Sequence, residues 1–319
     1  MSERYLVTGG AGFIGSALVR GLLAHGADRV TVIDNLYSGK HKNLEEVADH
    51  VDLHEVDIRN YDAVRNSMEN ATVVFHLAAI PSVPRSIDEP VPSHEVNCDG
   101  TFNVFRAAKE AGATRVVYAA SSSAYGNTLV LPKVETMAPA PMSPYAVQKL
   151  LGEYYASVFS SCFSLPSVSL RFFNVYGPRQ DPSSPYSGVL SIFMKCVLEG
   201  RTPTIYGDGE TSRDFTYVED VVQLLIKASR AENVSGRVFN AGNGNRYTLN
   251  YVWETLQKIA GIELPANYGP PRPGDVRDSQ ADTTAAVNEL GHAPKFSLED
   301  GLRLTLEWYS RDLARVLTA

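Results

Sequence analysis

The chain has 319 residues, 44% of them hydrophobic, enough for one large doubly wound domain with a smaller one attached. Its formal net charge of -7 argues against nucleic acid or an anionic membrane surface as the main partner, so an anionic ligand would need locally placed cations and backbone amides. No run approaches the roughly 18 apolar residues of a membrane span, no basic-then-apolar leader precedes "RYLVTGG", and Cys98, Cys162 and Cys196 have neither disulfide nor zinc spacing; these features predict a cytoplasmic protein with buried thiols and no bound metal.

In chain order the first half alternates short β-branched runs with helix-like stretches. "YLVT", "RVTVID", "VDLHEVD", "TVVFHLAA" and "RVVYAASS" read as strands, and the alternation predicts an α/β fold with a doubly wound parallel sheet. After the first strand, "TGGAGFIG" opens a helix near Phe13. Gly10, Gly12 and Gly15 have G-x-G-x-x-G spacing, overlapped by Gly9, Gly12 and Gly15. Glycines permit the tight turn and let amides approach a pyrophosphate at the positive end of the helix dipole. Asp34 closes the second strand about 20 residues later, where an acid accepts hydrogen bonds from an adenosine ribose. It also repels a 2'-phosphate, which favours NAD over NADP, although Lys40 and Lys42 on the following loop are placed to reverse that preference. Asp57, after "LHEV", is either a strand-end turn residue or a contact to the adenine amino group. Leu77, Ala78 and Ala79 of "HLAA" are residues that let a strand end pass close to a ligand.

"YAASSSAYG" carries Ser121, Ser122 and Ser123 to the carboxyl end of a strand, where doubly wound sheets bind ligands. A helix then opens on Ser143 and Pro144 and places Tyr145 and Lys149 on one face, at i and i+4. A free phenol, with a pKa near 10, is a poor base at neutral pH. Lys149 and an oxidised nicotinamide would both favour phenolate, and a serine hydroxyl could relay the proton. Beyond "SVSLRFFNVYG" the regularity fails and proline and glycine accumulate. "DFTYVEDVVQLLIKASR" and "VFNAGNG" read as a helix and strand returning to the first domain. The predicted division is a Rossmann domain over 1–176 plus about 214–244, and a smaller α/β substrate-binding domain over 177–213 and 245–319.

Together "TGGAGFIG", Asp34, "AASSSAYG", Tyr145-x-x-x-Lys149, "RFFNVYGPRQ", "GDGETSRDFTYVED" and "RPGDVRDSQAD" resemble the extended short-chain dehydrogenase/reductase superfamily, and within it the UDP-hexose 4-epimerases. The resemblance runs from about residue 4 to beyond 305. It implies an enzyme with tightly held NAD that takes hydride from C4 of the sugar while Tyr145 takes the O4 proton; the 4-keto sugar then turns and receives the hydride on its other face. It makes Ser121 the catalytic serine and Ser123 a second substrate contact. Phe13, Ile14, Asn35, Ser38, Gly39, Ile58 and Phe172 join the cofactor residues. Asn174 and Arg213 address the substrate pyrophosphate, Thr204 and Tyr206 lie at the uracil, Arg272 with Asp275 grips phosphate and ribose, and Gly188 and Val189 complete the substrate side. It also implies a homodimer through helices at 91–112 and 143–161.

Sugar 4,6-dehydratases carry an Asp-Glu pair after the catalytic hydroxyl residue, where this chain has Ser122 and Ser123. A uronic acid 4-epimerase and a non-catalytic nucleotide-sensing module compete with the hexose epimerase. Ser279 stands where epimerases restricted to glucose and galactose typically carry a tyrosine near the sugar's 2-substituent. The smaller side chain favours interconversion of UDP-GlcNAc and UDP-GalNAc, with UDP-Glc and UDP-Gal as further substrates.

Overall fold

A computed structural model describes residues 3–181, 188–271 and 276–318, with side chains as far as 313. Its elements are β1 (Tyr5–Thr8), α1 (Phe13–Ala24), β2 (Val30–Asp34), β3 (Val51–Glu55), α2 (Tyr61–Ser67), β4 (Val73–His76), α3 (Val83–Asp88), α4 (Pro90–His94), α5 (Thr101–Glu110), β5 (Arg115–Ser121), α6 (Pro144–Cys162), β6 (Ser167–Phe172), β7 (Asn174–Tyr176), α7 (Val189–Glu199), β8 (Thr204–Tyr206), β9 (Ser212–Arg213), β10 (Phe215–Tyr217), α8 (Val218–Arg230), β11 (Arg237–Ala241), β12 (Tyr247–Thr248), α9 (Leu249–Ala260), β13 (Asn267–Gly269), α10 (Thr284–Leu290) and α11 (Leu298–Thr318). A π-helical turn, Glu95–Gly100, joins α4 to α5.

Seven parallel strands form one sheet in the order β11-β6-β5-β4-β1-β2-β3. Its central strands read as unbroken apolar runs because both faces are covered. On one face α1 and α8 bury Leu18, Leu22, Val221 and Leu225 with Phe75 and Phe239; on the other, Val64, Phe105 and Phe159 cover Val74 and Val116. The chain reverses direction across the sheet between β1 and β4. That switch point opens a crevice at the strands' carboxyl ends, where ligands bind in such folds.

A second core gathers Phe193 and Met194 of α7, Trp253 and Leu256 of α9, and Leu302 and Leu306 of α11. Three two-stranded ribbons, β7 with β10, β8 with β13 and β9 with β12, surround it. Helix α8 and strand β11 return to the large sheet, and a later piece joins them: α10 buries Ala286 and Leu290 against the first core, although the sequence reading puts 245–319 wholly in the second region. Cys98 and Cys196 are buried, whereas Cys162 at the end of α6 is exposed, against the expectation of three buried thiols.

Among the described residues no helix is long and apolar enough to cross a membrane.

Candidate active site

Glycine builds the floor of the crevice. Gly9 has φ of 71°, and a Cβ there would lie 2.8 Å from the Ala78 nitrogen. A Cβ on Gly15 would lie 2.0 Å from the Gly9 carbonyl oxygen. Gly12 caps α1 without a side chain, so the first-turn amides of a 12-residue helix keep no side-chain acceptor. A phosphate fits there, because the turn brings bare backbone amides and the helix dipole to one spot.

Asp34 fastens this turn. Its carboxylate accepts from the Ala11 amide at 2.9 Å and the Leu36 amide at 2.8 Å, and burial pushes its pKa up. Two acceptor sites of about four are thereby used, leaving others for a ribose. Gly39 packs behind it: a Cβ there would sit 2.8 Å from either carboxylate oxygen. Of the loop lysines, Lys40 pairs with Asp181 at 2.6 Å on the wall of the crevice, and Lys42 pairs with Asp312 at 2.5 Å. Asp57 is gripped by Arg59 at 2.9 and 3.0 Å and by the Asn35 amide at 3.0 Å, which together pull its pKa below the usual carboxylate range. Asp57 accepts from the Arg59 amide at 2.9 Å, as a strand-end turn residue does, and it also lies on the cavity wall.

α6 presents the phenol and the amine. Ser143 caps it by accepting from the Ala146 amide, with Pro144 at the first helical position. The Ser86 hydroxyl accepts from the Tyr145 amide at 3.1 Å, and the Gln148 side-chain Oε1 accepts from the Ser93 hydroxyl at 2.9 Å and the Asn97 side-chain amide at 2.8 Å. Gly152 lets the helix lie against β5, because a Cβ there would meet the Tyr118 hydroxyl at 2.2 Å.

Tyr145 is half-buried, lines the cavity and is hydrogen-bonded to Ser121. Ser121 also accepts from the Ser123 hydroxyl at 2.8 Å and the Ser123 amide at 3.2 Å. Ser121 is therefore the member of the serine triplet that the phenol meets, with Ser123 behind it.

The electrostatics differ from the sequence expectation that Lys149 draws the phenol's pKa down. Burial raises the Tyr145 pKa, and the opposing influence in the protein is the Ser121 hydrogen bond. Burial lowers Lys149 to about 7, partly offset by the charge of Glu153. Its Nζ sits 4.4 Å from the centroid of the Tyr118 ring, a cation-π contact. Burial thus works against the charged form of each group, the phenolate and the ammonium. His76 beside them is neutral, its pKa lowered to about 3 by burial and by the Lys149 charge, and its ring bonds Thr8 at 2.7 Å and Thr101 at 3.0 Å.

Glycine floor, acids, serine and α6 border one cavity of about 620 Å³, the size of a cofactor and substrate site. Gly9, Gly12, Phe13, Ile14, Gly15, Asp34, Asn35, Ser38, Asp57, Ile58, Leu77, Ala78, Ala79, Phe172, Asn174, Gly188 and Val189 all reach its wall. Thr204, Tyr206, Arg213 and Ser279 do not. Thr204 and Tyr206 are exposed on the β8–β13 ribbon, and Arg213 donates to the Ser212 and Arg277 carbonyls at 2.9 and 3.0 Å. Ser279 stands one contact back, accepting from the Asn174 side chain at 3.3 Å. Arg272 and Asp275 lie outside the described residues.

Sequence reasoning misses several charged and aromatic wall residues. Arg85 spans the first turn of α3 and the crevice, lies 4.6 Å over the Tyr37 ring and pairs with Glu89 at 3.0 Å; Arg59 and Arg179 line the same wall. The only advance signal for Arg85 is "SVPRS", a capped helix start just past the fourth strand.

Comparison with known proteins agrees with this geometry. A family model described as the NAD dependent epimerase/dehydratase family matches residues 5–242. The UDP-glucose 4-epimerase of Mycolicibacterium smegmatis is 39% identical over 310 residues, covering 96% of this chain and 98% of its own. A solved UDP-N-acetylglucosamine 4-epimerase from Methanobrevibacter ruminantium M1, in complex with UDP-N-acetylmuramic acid, superposes with a TM-score of 0.92 at 36% identity, covering 98% of this chain and 100% of that one. The UDP-glucose 4-epimerase of Thermus thermophilus, crystallised with NAD, gives a TM-score of 0.89 at 37% identity, covering 96% and 99%.

Proposed function

The chain belongs to the NAD-dependent epimerase/dehydratase family, and on that premise we propose that it is an isomerase that interconverts UDP-GlcNAc and UDP-GalNAc, and UDP-Glc and UDP-Gal as well, through a transient 4-keto sugar. When bound, NAD supplies the hydride acceptor and donor and a positive charge beside the phenol. Tyr145 takes the O4 proton and Ser121, hydrogen-bonded to it, shares that proton. Burial holds the phenol protonated in the protein alone, and the positive charge of bound NAD would favour the phenolate that accepts the O4 proton. An epimerase uses the same phenol in reverse, because the proton that leaves O4 must be restored to it. Lys149, one turn along α6, holds the counter-charge of the phenolate and is placed to hydrogen-bond the nicotinamide ribose. The Gly9–Gly15 turn, Asp34 and Asp57 hold the dinucleotide.

The choice of sugar rests on residue 279. Ser279 ends in a hydroxyl that accepts from Asn174, a residue of the cavity wall. A side chain of this size leaves space for an N-acetyl group at C2 where an aromatic ring would fill it. We assign Asn174 and Arg213 to the diphosphate, Gly188 and Val189 to the substrate side of the cavity, and Thr204 and Tyr206 to the uracil.

Incubation with UDP-GlcNAc, UDP-Glc and UDP-glucuronate, read by chromatography, tests the reading: C4 epimers of the first two are expected. Turnover of UDP-glucuronate alone would replace it. A stripe of exposed apolar residues, Val147, Tyr154 and Val158 on α6 beside Phe102 on α5, supports a homodimer across these helices. Sedimentation of the purified protein at twice the chain mass is the expected result.

A further inference from the structure

One turn beyond Lys149 on α6 lies Glu153, and both are about 3 to 4% exposed. Arg171 of β6 takes both carboxylate oxygens of Glu153, from Nε at 2.9 Å and Nη2 at 2.8 Å. The pair is nearly sealed from water, with side-chain exposures of 4% and 3%. Arg171 is itself braced from the other side, its guanidinium 4.5 Å over the ring of Tyr125, whose hydroxyl donates to Asn240 at 2.6 Å. A buried ion pair of this kind contributes little to stability compared with an apolar replacement, so its retention beside the reactive amine calls for another use.

We propose that Glu153, locked by Arg171, is a positioning residue that keeps Lys149 charged inside its sealed site. Among the described residues the hydrogen bonds of Glu153 go to Arg171 and not to Lys149, so Glu153 acts on the amine through its field. A direct Glu–Lys bond would tether Nζ along the helix axis. A carboxylate held one turn away favours the ammonium while leaving its donors to point toward the cavity. The remaining groups around the amine are Tyr145 on α6, Cys98 on the π-helical turn, His76 at the end of β4, and Tyr118 and Ser121 on β5. His76 is neutral, and burial holds the Cys98 thiol protonated, up to about 11. Glu153 is thus the anion in this group at neutral pH, and it works against the burial that lowers the pKa of the ammonium to about 7.

The proposal rests on the assignment of Lys149 to the active site, and the test separates the two. Removing the carboxylate alone strands the Arg171 charge, and that variant can fail to fold, so the experiment uses Glu153→Gln together with the double variant Glu153→Gln/Arg171→Gln. The Lys149 ammonium is titrated by NMR in lysine-labelled protein and identified by its disappearance in Lys149→Met; the pH dependence of kcat on UDP-Glc is measured in parallel. The double variant is expected to move the Lys149 midpoint to lower pH by less than the roughly one unit of a single charge a helical turn away, because the more distant Arg171 charge is removed with the carboxylate. The kcat profile is expected to shift in the same direction. An unmoved midpoint in folded double variant overturns the proposal, whatever happens to the amplitude of kcat. A moved midpoint in a protein that epimerises no UDP-sugar upholds it and instead removes the functional reading.

Discussion

Replacing Gly15 with alanine tests the dinucleotide cradle most directly. The added methyl would stand 2.0 Å from the Gly9 carbonyl oxygen and 2.8 Å from both the Gly9 carbonyl carbon and the Gly10 Cα. Those are backbone atoms, so no side chain can rotate away. Ordinary contact begins more than an ångström further out, and either α1 or the Gly9–Gly10 peptide must move. Moving the peptide strains two bonds that shape the turn, Gly9 amide to Ile33 carbonyl at 2.7 Å and Gly12 amide to Gly9 carbonyl at 3.1 Å. Overpacking of this kind costs about 1–3 kcal/mol. The same displacement takes the first-turn amides off the phosphate, and one to two kcal/mol lost there is roughly a 5- to 30-fold weaker hold on NAD. The assay is the nucleotide released on denaturing the purified variant, per mole of protein, alongside its melting temperature. Gly26→Ala is the control, because Gly26 has φ of 93° but no atom within 4 Å of a new Cβ. It should lose stability to backbone strain and keep its full NAD. A Gly15→Ala protein with a full complement of NAD and an unshifted melting temperature would refute the cradle geometry.

The remaining predictions concern the reactive groups. Tyr145→Phe removes the proton acceptor and the Ser121 hydrogen bond while leaving the glycine turn untouched; kcat should fall about 10²- to 10⁴-fold with NAD content unchanged, and near-normal turnover would reassign the base. Ser279→Tyr should suppress activity on UDP-GlcNAc far more than on UDP-Glc, measured as the ratio of kcat/KM values, whereas equal losses would defeat the size argument. Lys149→Met should abolish turnover and yet raise stability at neutral pH. The folded pKa of Lys149 is about 7 and the unfolded one about 10.4, so between these limits the unfolded chain binds more protons and stability climbs with pH. The burial penalty is full below pH 7 and gone above the unfolded pKa. The variant's advantage in melting temperature should accordingly be largest at pH 7 and below and vanish toward pH 10, and a pH-independent difference would show that Lys149 is not held against its charge.

What the sequence discloses here depends on the range of the interaction that carries it. The sheet is legible because parallel strands buried on both faces must be apolar throughout, as in Val73–His76 and Arg115–Ser121, and because a glycine turn between a strand and a helix is a local event. The Tyr145–Lys149 pair is legible for the same reason, since one helical turn fixes its geometry. Thr204 and Tyr206 are a different case. They sit on a three-residue strand paired with residues 267–269, a ribbon too short for a periodic signal, and only the packing of α7, α9 and α11 decides which way it faces.

The protonation of Lys149 is illegible for a deeper reason. Spacing places an amine beside a phenol, but whether that amine is charged depends on β5 lying close enough for Gly152 to touch Tyr118, and on a carboxylate whose own partner, Arg171, comes from the neighbouring strand. Desolvation raises the acidic group and lowers the basic one by the same physical cause, and since a free phenol and a free amine start near each other, at about 10 and 10.4, it drives their pKa values apart. Burial alone thus favours a neutral phenol and a neutral amine; Glu153 favours the ammonium, and the positive charge of bound NAD would favour the phenolate. A motif supplies the two residues; their protonation is a property of the fold around them.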